Sequence, residues 1–557
     1  MTTLRKSAAL AGAALVAFAG VQPAAAFPKL PGGSASGGSG GFSVSGKPGP
    51  FIKQISNRPL DQAQAGAGSL GLSSDAINRG EFQAARLRLP QTEAKVKALL
   101  DRIEANWPYA KTAPVKVMIL GVDYYSAQAL PDGSIMVGFG LLDRAQSDDE
   151  LAFVLSHELG HIRLGHFAKG VQLNRQRDAA SKLGQIYVIA SAANDVRNGG
   201  LGAVNSAVDS ASRRASATND LLHFVTDVMV APAWSRAQED EADALGFDLA
   251  NLAPYSAESA SARVFDTIQA DEEKRGAMAE ALQSKLKAEL GQAVSAGAAQ
   301  TILTGGASTE GLKQSLLRGA GRVALGVAAS SEGGPKHRSP EARKKGVADY
   351  SAEAYPSGLP LRDEQTAWLQ QIRSTPEYRD AKVAVAAVAQ AMKLRADGDY
   401  PGAEAQIGQA LRTSFRAAPM VINEAARIRD DMGDSARADA LFMQAHQSPD
   451  QTVDGYQDHV RMLFRTGQYD RANQVIDEGV RRFGNDDKPF LSLQVAVADK
   501  QGKPEVRERH LKRCRGLGDP NLKKDCDLAA GSKGEEGPKA PRLNIKSLPV
   551  AIPGLPF

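Results

Sequence analysis

Three features are scarce or absent in this chain: long apolar runs, net charge and histidine. No stretch reaches about 18 uninterrupted apolar residues, so we predict no membrane-spanning helix. The net charge is only +4, and because no cluster of lysine or arginine is present, a nucleic-acid partner is not indicated. Histidine is scarce, with 8 residues among 557, so two histidines at metal-binding spacing would rarely occur by chance.

The length predicts more than one domain. A chain of 557 residues corresponds to roughly two to four domains. Charged residues make up 23% and hydrophobic residues 43% of the chain, which are values of globular proteins. The 54 glycines and 28 prolines indicate that some segments are unstructured.

The N-terminus has the layout of a signal peptide. Arg5 and Lys6 precede an apolar run from Ala8 to Val21, and the small residues Ala24–Ala26 form a cleavage site. The alternative is a single membrane anchor, but the run is about 14 residues long and a span needs roughly 20. No cysteine follows the cleavage site, which argues against a lipid anchor. We therefore predict a signal peptide over residues 1–26 and an exported, soluble protein.

The stretch His157-Glu158-Leu159-Gly160-His161 has the H-E-x-x-H pattern, in which two histidines hold a zinc ion and the glutamate is a general base. Residues four apart on a helix project from one face, so His157 and His161 can bind the same ion. Glu158 lies beside that face, where it can take a proton from the attacking water. The alternative is a helix that carries two histidines without a metal.

The residues before this pattern predict a helix and two strands. Helical periodicity covers residues 81–106, and β-branched apolar residues predict strands over 114–122 and 134–140. A capping box that begins at Ser147 predicts the start of the metal-binding helix, and Gly165 is a plausible end. Strands that lead into such a helix predict an α+β zincin-type domain, mainly helical with a small sheet.

The third zinc ligand must come from elsewhere in the chain. The metzincin pattern requires a glycine and a histidine at the places that Leu164 and Phe167 occupy, so that class of zinc protease is excluded. His166 is one position away from the required place, and we expect it on the loop after the helix.

A second helix offers the missing ligand. Ser235 and Gln238 form a capping box, after which Glu239 and Asp243 share one helix face, and Gly246 allows close packing. We predict that Glu239 is the third zinc ligand and that Asp243 accepts the remaining ring N–H of a ligating histidine. Alone, such an acidic pair is usually a solvated helix face; downstream of H-E-x-x-H, metal binding is favoured.

The run from Leu141 to His161 and the signature from Ser235 to Gly246 together resemble the metallopeptidase family of the CAAX prenyl proteases and HtpX. The resemblance covers roughly residues 85–345. It implies one zinc ion per chain, held by His157, His161 and Glu239, with Glu158 as the base. This resemblance also implies an active-site role for the segment from His337 to Arg343, where relatives carry a histidine.

His337 has three possible roles. By resemblance it would stabilise the oxyanion or occupy the fourth zinc position as a self-inhibiting gate, and the alternative is an exposed loop histidine. Arg338 stands where the family has proline, so the loop departs from the family pattern. Residues 168–234 and 265–335 form inserts, which we interpret as helical lids over the cleft or as membrane-surface contacts.

A repeat appears in the C-terminal part of the chain. The glycines Gly398, Gly433, Gly467 and Gly502 each begin a similar segment, and they recur about every 34 residues, the tetratricopeptide period. We therefore predict an all-α tetratricopeptide solenoid, with an unrelated helical bundle as the alternative. Such arrays expose a concave surface that binds peptides or partner proteins.

The only two cysteines of the chain, Cys514 and Cys526, lie close together near the C-terminus. In an exported protein such a pair is more typical of a disulfide bond than of reactive thiols. We predict that the bond staples the end of the repeat array, and neither cysteine is placed to bind the ion near His157.

The sequence therefore predicts six segments. They are a signal peptide (1–26), a Gly/Ser-rich flexible segment (27–80), a zinc metalloprotease domain (81–345), a linker (346–378), the repeat domain (379–530) and a disordered tail (531–557).

The leading hypothesis is a periplasmic zinc metalloendopeptidase that cleaves misfolded or stalled envelope proteins, similar to the BepA-type proteases of outer-membrane protein quality control. The strand from Ile135 to Phe139 would pair with the substrate backbone, and the repeats would bind clients or an outer-membrane assembly machine. The alternative is a gated or inactive protease that acts mainly as a chaperone or assembly factor. A purely structural metal site is disfavoured, because such sites usually have four cysteine or histidine ligands.

Overall fold

The computed structural model describes seven parts of the chain. They are residues 49–55, 86–109, 114–169, 172–173, 202–226, 232–303 and 338–530. The predicted signal peptide, the predicted tail and His337 lie outside the described residues, as do most of residues 27–80 and part of each insert.

The N-terminal part of the described chain is mainly helical with a small sheet, which confirms that portion of the fold prediction. Its strands are β1 (Lys116–Leu120), β2 (Ala127–Ala129), β3 (Ser134–Gly138), β4 (Gln172–Leu173) and β5 (Pro232–Ala233). Its helices are α1 (Pro90–Glu104), α2 (Phe139–Arg144), α3 (Asp148–Arg163), α4 (Gly202–Thr226), α5 (Arg236–Leu252), α6 (Ala257–Leu303), α7 (Pro340–Ala354) and α8 (Ala367–Arg373).

The first three strands form one sheet in the order β1–β3–β2, with β1 parallel and β2 antiparallel to β3. Because side chains alternate along a strand, Ile135 and Val137 face the main core while Met136 belongs to a smaller cluster on the opposite face. Both predicted strands are present. β1 is two residues shorter than predicted at each end, and β3 is two residues shorter at its C-terminal end.

The predicted role of the strand from Ile135 to Phe139 in substrate pairing is wrong. Residues 135–138 of this stretch belong to the central strand β3, whose two backbone edges are already bonded to β1 and β2. A strand with both edges paired has no main-chain groups left for a peptide. On the other side of β1, Leu87 N–H donates to Ile119 O (2.9 Å). Within the described residues, β2 is therefore the outer strand.

The helix predicted to bind the metal, α3, lies at the centre of this region. Every one of its residues is buried, as expected for a helix surrounded by other elements. The Ser147 side chain accepts a hydrogen bond from Glu150 N at its start, and Gly165 ends the following turn with φ of 61°. Helix α1 begins at Pro90 rather than near residue 81, since proline favours the first helical position and residues 86–89 are not helical.

Residues 346–378, predicted to be a linker, are largely helical and packed on this core. They include the end of α7 and all of α8. Asp148, at the start of α3, accepts hydrogen bonds from Trp368 N and Leu369 N (both 2.8 Å), which caps α8. The prolines and tyrosines of the segment suggested a linker. The segment is nevertheless packed, because its burial depends on contacts with residues that are distant in the sequence.

The C-terminal part consists of helices joined by short turns. They are α9 (Pro376–Ala396), α10 (Tyr400–Ala410), α11 (Pro419–Asp431), α12 (Ser435–His446), α13 (Val453–Arg465), α14 (Tyr469–Arg482), α15 (Leu491–Lys500), α16 (Pro504–Gly516) and α17 (Pro520–Ala529). The four repeated glycines lie in turns between successive helices, each with positive φ (79°, 84°, 76° and 64°), a conformation that favours glycine.

A buried arginine joins the first insert to these helices. Arg395 on α9 contacts Asp220 of α4 (3.0 Å) and Glu424 (2.8 Å) and Asp431 (3.1 Å) of α11, and its side chain is 2% exposed. Apolar side chains of α4 such as Leu221 pack in the same cluster with α6 and α9. Helix α4 of this insert is therefore held against the C-terminal helices.

Cys514 of α16 and Cys526 of α17 form a disulfide bond. The bond joins the last two helices of the described chain, and both cysteines are buried in the same hydrophobic cluster. Among the described residues, no helix is both long enough and apolar enough to cross a bilayer.

A buried carboxylate anchors residues 49–55 to the N-terminal part of the described chain. Asp248 of α5 accepts hydrogen bonds from Ile52 N (2.8 Å) and from the hydroxyls of Tyr350 and Tyr355 (both 2.7 Å). Tyr350 in turn accepts a hydrogen bond from Phe51 N (2.7 Å). Burial raises the pKa of Asp248 to about 6, although the hydrogen bonds oppose this shift.

This pKa predicts how stability depends on pH at Asp248. A folded-state pKa raised from 3.8 to about 6 gives a stabilisation that is full below about pH 4 and lost as the pH rises through about 6. We therefore expect the unfolding free energy of wild type, relative to that of Asp248→Asn, to rise by roughly 3 kcal/mol as the pH falls from 7 to 4. Urea denaturation across this range measures it.

The control for this prediction is Asp349→Asn, which changes an exposed carboxylate on α7. Its difference from wild type should stay nearly constant between pH 7 and pH 4. A constant difference for Asp248→Asn as well would contradict the proposed ionisation.

Candidate metal centre

Helices α3 and α5 cross at very short range. A Cβ atom added to Gly246 of α5 would lie 2.9 Å from the backbone nitrogen of His157. One added to Gly160 of α3 would lie 3.3 Å from the Cα of Ala242. The crossing therefore depends on small residues on both helices, as the sequence predicted for Gly246. It brings the acidic face of α5 against the histidines of α3.

The crossing gathers His157, His161 and Glu239 into one cluster. One donor atom from each of the three lies within 4.8 Å of the others. The Nε2 atoms of the two histidines are 3.1 Å apart, and His157 Nε2 is 3.7 Å from Glu239 Oε2. The three side chains are buried, and they are the only such cluster of possible metal ligands among the described residues.

The donor set fits a zinc ion. Two imidazole nitrogens bound at 2.0–2.1 Å in tetrahedral geometry lie about 3.3 Å apart, close to the observed 3.1 Å. Two histidines and one carboxylate supply three protein ligands, the number typical of catalytic rather than structural zinc. The chemistry of the site thus agrees with the predicted cofactor.

Asp243 lies behind His157, where the sequence analysis placed it. Its Oδ1 is 2.9 Å from His157 Nδ1, so it can accept the Nδ1–H and leave the Nε2 lone pair directed at the cluster. Burial lowers the pKa of His157, but the hydrogen bond and the charge of Asp243 outweigh burial and raise it overall.

Arg343 of α7 is a site residue whose role the sequence did not reveal. Its Nε and Nη2 bind both carboxylate oxygens of Asp243 (2.9 and 2.6 Å), and Nη2 is 3.4 Å from Glu239 Oε2. Burial raises the pKa of Asp243, but the charges and hydrogen bonds of Arg343 and His157 together outweigh burial and lower it overall. The available signal was its place at the end of the segment that begins with His337.

The charges of this buried group favour a divalent cation. When ionised, the carboxylates of Glu158, Glu239 and Asp243 carry three negative charges, and Arg343 supplies one positive charge. The two remaining negative charges are buried, and buried charges in proteins are normally paired or bound to metal ions. A doubly charged cation would balance them.

Glu158 is held in place by the sheet. Ala129 N–H of β2 donates a hydrogen bond of 2.6 Å to Glu158 Oε2. Burial raises the pKa of the Glu158 carboxyl, and the charge of His157 and the hydrogen bond from Ala129 only partly offset it. A carboxylate with a raised pKa accepts a proton more readily near neutral pH.

The residue next to His337 has a defined partner. Arg338 Nε and Nη2 bind the two carboxylate oxygens of Asp240 on α5 (both 2.9 Å). Asp240 directly follows Glu239, so the arginine that departs from the family pattern is anchored beside a predicted metal ligand.

His166 follows the end of α3, and its side chain is buried. It begins a 3-10 turn over His166–Lys169 and is fully buried. Its Nδ1 lies 2.9 Å from Nδ1 of His161. His166 does not fit the metzincin spacing, but the scarcity of histidine in the chain and the short distance in sequence to His161 were signals of a role near the site.

The helix crossing predicts the effect of Gly246→Ala. The new methyl group would meet backbone atoms of His157, which cannot rotate away, so α5 must shift and Glu239 and Asp243 must move relative to His157. We expect zinc affinity to fall at least tenfold, and the apoprotein to lose about 1–3 kcal/mol of stability from overpacking. Chelator competition and urea denaturation measure the two effects.

Gly276→Ala on α6 is the matched control. No atom lies within 4 Å of the added Cβ, and replacing glycine by alanine inside a helix stabilises by up to about 1 kcal/mol. Zinc affinity of this variant should equal that of wild type. Equal affinities for Gly246→Ala and wild type would show that the crossing tolerates a methyl group.

Comparison with known proteins agrees with this site. Residues 90–296 match Peptidase family M48. Metalloprotease LoiP of Escherichia coli (strain K12) is 38% identical over 77 residues, which are 13% of this chain and 30% of LoiP. Mitochondrial metalloendopeptidase OMA1 of Arabidopsis thaliana is 39% identical over 59 residues, which are 11% of this chain and 12% of OMA1.

The matched part is thus less than a third of the length of either relative. The family match covers α1 to α5 and most of α6, including every residue of the clustered donors. Residues 90–296 are therefore similar to peptidase family M48, and the two metalloprotease relatives and the cluster of His157, His161 and Glu239 agree with that similarity.

Proposed function

We propose that this chain is an exported zinc-dependent metalloendopeptidase that hydrolyses peptide bonds in misfolded or stalled envelope proteins. The observation that carries the proposal is the cluster of three metal donors with the Glu158 carboxylate beside it. Two histidines and a downstream glutamate form the ligand set of a gluzincin-type site. The predicted signal peptide supports export to the periplasm.

A zinc ion bound by these donors supplies Lewis-acid polarisation of the scissile carbonyl and activation of the attacking water. Glu158 takes the proton of that water and then transfers it to the leaving amine. The hydrogen bond from Ala129 N–H occupies Oε2 of Glu158, so we assign proton transfer to Oε1. Asp243 holds His157 in the tautomer whose Nε2 is free to bind the ion.

The outer strand β2 is the element best placed to bind a substrate backbone. It is paired with β3 on one side, and Ala129 N–H on its other side points to Glu158. A peptide added along this edge would pass the general base. Because main-chain hydrogen bonds carry little sequence preference, this mode suits the varied segments that unfolded proteins expose.

The C-terminal helices would select the clients. The glycine turns and the period of about 34 residues support a tetratricopeptide array, which would bind substrates or an outer-membrane assembly machine. This organisation resembles that of the BepA-type proteases, and we propose the same broad role in envelope protein quality control.

A second candidate is a gated protease that acts mainly as a chaperone or assembly factor. The burial of the site favours it: His157 is 8%, Glu158 7% and Glu239 4% exposed. A peptide backbone must come within hydrogen-bonding distance of Glu158 for cleavage, so the described conformation has to open first. His337 remains a candidate gate by resemblance alone.

Glu158→Gln tests the proposal. The amide keeps the size of the side chain but cannot take a proton, so we expect cleavage of unfolded casein to fall at least 100-fold while about one zinc ion per chain remains bound. Removal of zinc with a chelator should abolish wild-type cleavage, and added zinc should restore it. Cleavage rates and zinc content are measured on the same preparations.

Glu353→Gln on the exposed face of α7 is the control, and it should cleave casein at the wild-type rate. Equal cleavage by Glu158→Gln and wild type would exclude Glu158 as the base. If neither form cleaves although zinc is bound, and both suppress casein aggregation, the gated chaperone is favoured.

A further inference from the structure

A histidine that is not in the ligand set lies behind His161. The two nitrogens of the His161 ring have different neighbours: Nε2 is 3.1 Å from His157 Nε2, and Nδ1 is 2.9 Å from Nδ1 of His166. His166 Nε2 in turn lies 3.2 Å from Glu241 Oε2. A chain of contacts therefore runs from the cluster through two imidazoles to a carboxylate.

The chemistry of imidazole determines the direction of this chain. A neutral imidazole carries one N–H and one lone pair, and His161 needs the lone pair of Nε2 to bind a metal. Its hydrogen is then on Nδ1 and is donated to the lone pair of His166 Nδ1. His166 carries its own hydrogen on Nε2, which it donates to Glu241. Every contact then joins one donor to one acceptor.

The two metal-binding histidines are thus supported in different ways. His157 donates directly to the carboxylate of Asp243 (2.9 Å), which is the usual arrangement for a ligating histidine. The Nδ1 side of His161 is linked to the carboxylate of Glu241 through the ring of His166.

Neighbouring elements hold His166 in position. Its backbone carbonyl accepts a hydrogen bond of 3.0 Å from Gln238 Nε2, and Gln238 belongs to the capping box that begins α5. The first turns of α5 also carry Glu239 and Glu241. Trp234 stacks on the His161 ring with centroids 4.2 Å apart and planes 17° apart. The start of α5 therefore places both a metal ligand and the support of another ligand.

We propose that His166 and Glu241 are positioning residues of the metal centre, which keep His161 in the tautomer and orientation that direct Nε2 at the ion. The inference rests on the proposed zinc site. Neither residue touches the reacting atoms in this role: His166 acts through His161, and Glu241 acts through His166. Their contribution is to metal affinity and ligand geometry.

His166→Phe and His166→Asn separate this role from simple packing. Phenylalanine fills the same space but offers no acceptor to His161, so zinc affinity should fall roughly 10- to 100-fold. Asparagine is smaller, but its amide oxygen can lie near the place of Nδ1 and should restore most of the affinity. A packing role predicts the reverse order, with Phe closer to wild type than Asn.

The measurement is zinc binding to the full mature protein by chelator competition, together with the absorption spectrum of the cobalt(II) form and urea denaturation of the apoprotein. We expect the cobalt spectrum of His166→Phe to differ from wild type and that of His166→Asn to resemble it. His510→Phe on α16 is the control and should leave zinc affinity and the cobalt spectrum unchanged.

Each outcome bears on one proposal. Wild-type protein that binds no zinc would overturn the proposed function. Tight binding by wild type with equal affinity in His166→Phe would overturn the positioning role alone. If His166→Phe does not fold, Glu241→Leu is tested in its place. This substitution removes the carboxylate that accepts from His166, and the Glu241 side chain is partly exposed, so the change is easier to accommodate. A loss of at least threefold in zinc affinity supports the role, and an unchanged affinity overturns it.

Discussion

The close crossing of α3 and α5 is the constraint on which the site depends. Gly246 allows the backbone of α5 to approach His157 so closely that a methyl group would overlap it. At that distance the side chains of Glu239 and Asp243 are long enough to contact the histidines of α3. Short, buried connections lose little conformational freedom when they form, so the donors are already assembled in the folded protein. The metal centre is in this sense a product of backbone packing.

The same crossing concentrates charge in a buried place, and the surrounding elements compensate for it. Arg343 from α7 neutralises part of the acidic group, and Ala129 N–H from β2 binds Glu158. Elements far apart in the sequence thus contribute polar contacts to the same site. Because a buried carboxylate without a partner is costly, these contacts couple the geometry of the site to the integrity of the domain around it.

The helical region after residue 375 is continuous with this domain through the first insert. Arg395 binds acidic groups of α4 and α11 at one buried point, and apolar side chains of α4, α6 and α9 pack around it. An ion pair of this kind requires several correctly placed partners at once. The sequence suggested separate domains with a linker, whereas the segment from Tyr350 to Trp368 packs on the protease core.

The sequence alone determined local features of the chain: the helical spacing of His157 and His161, the capping boxes at the site, and the glycine turns of the C-terminal helices. These depend on residues a few positions apart, whose relation follows from helix geometry. Tertiary structure alone decided that β3 is central and cannot add a substrate strand, that Arg343 enters the site, and that His166 is buried behind His161. Each of these contacts depends on how segments that are distant in the sequence, or that follow a turn, pack against one another. The spacing of residues in one sequence does not specify that packing.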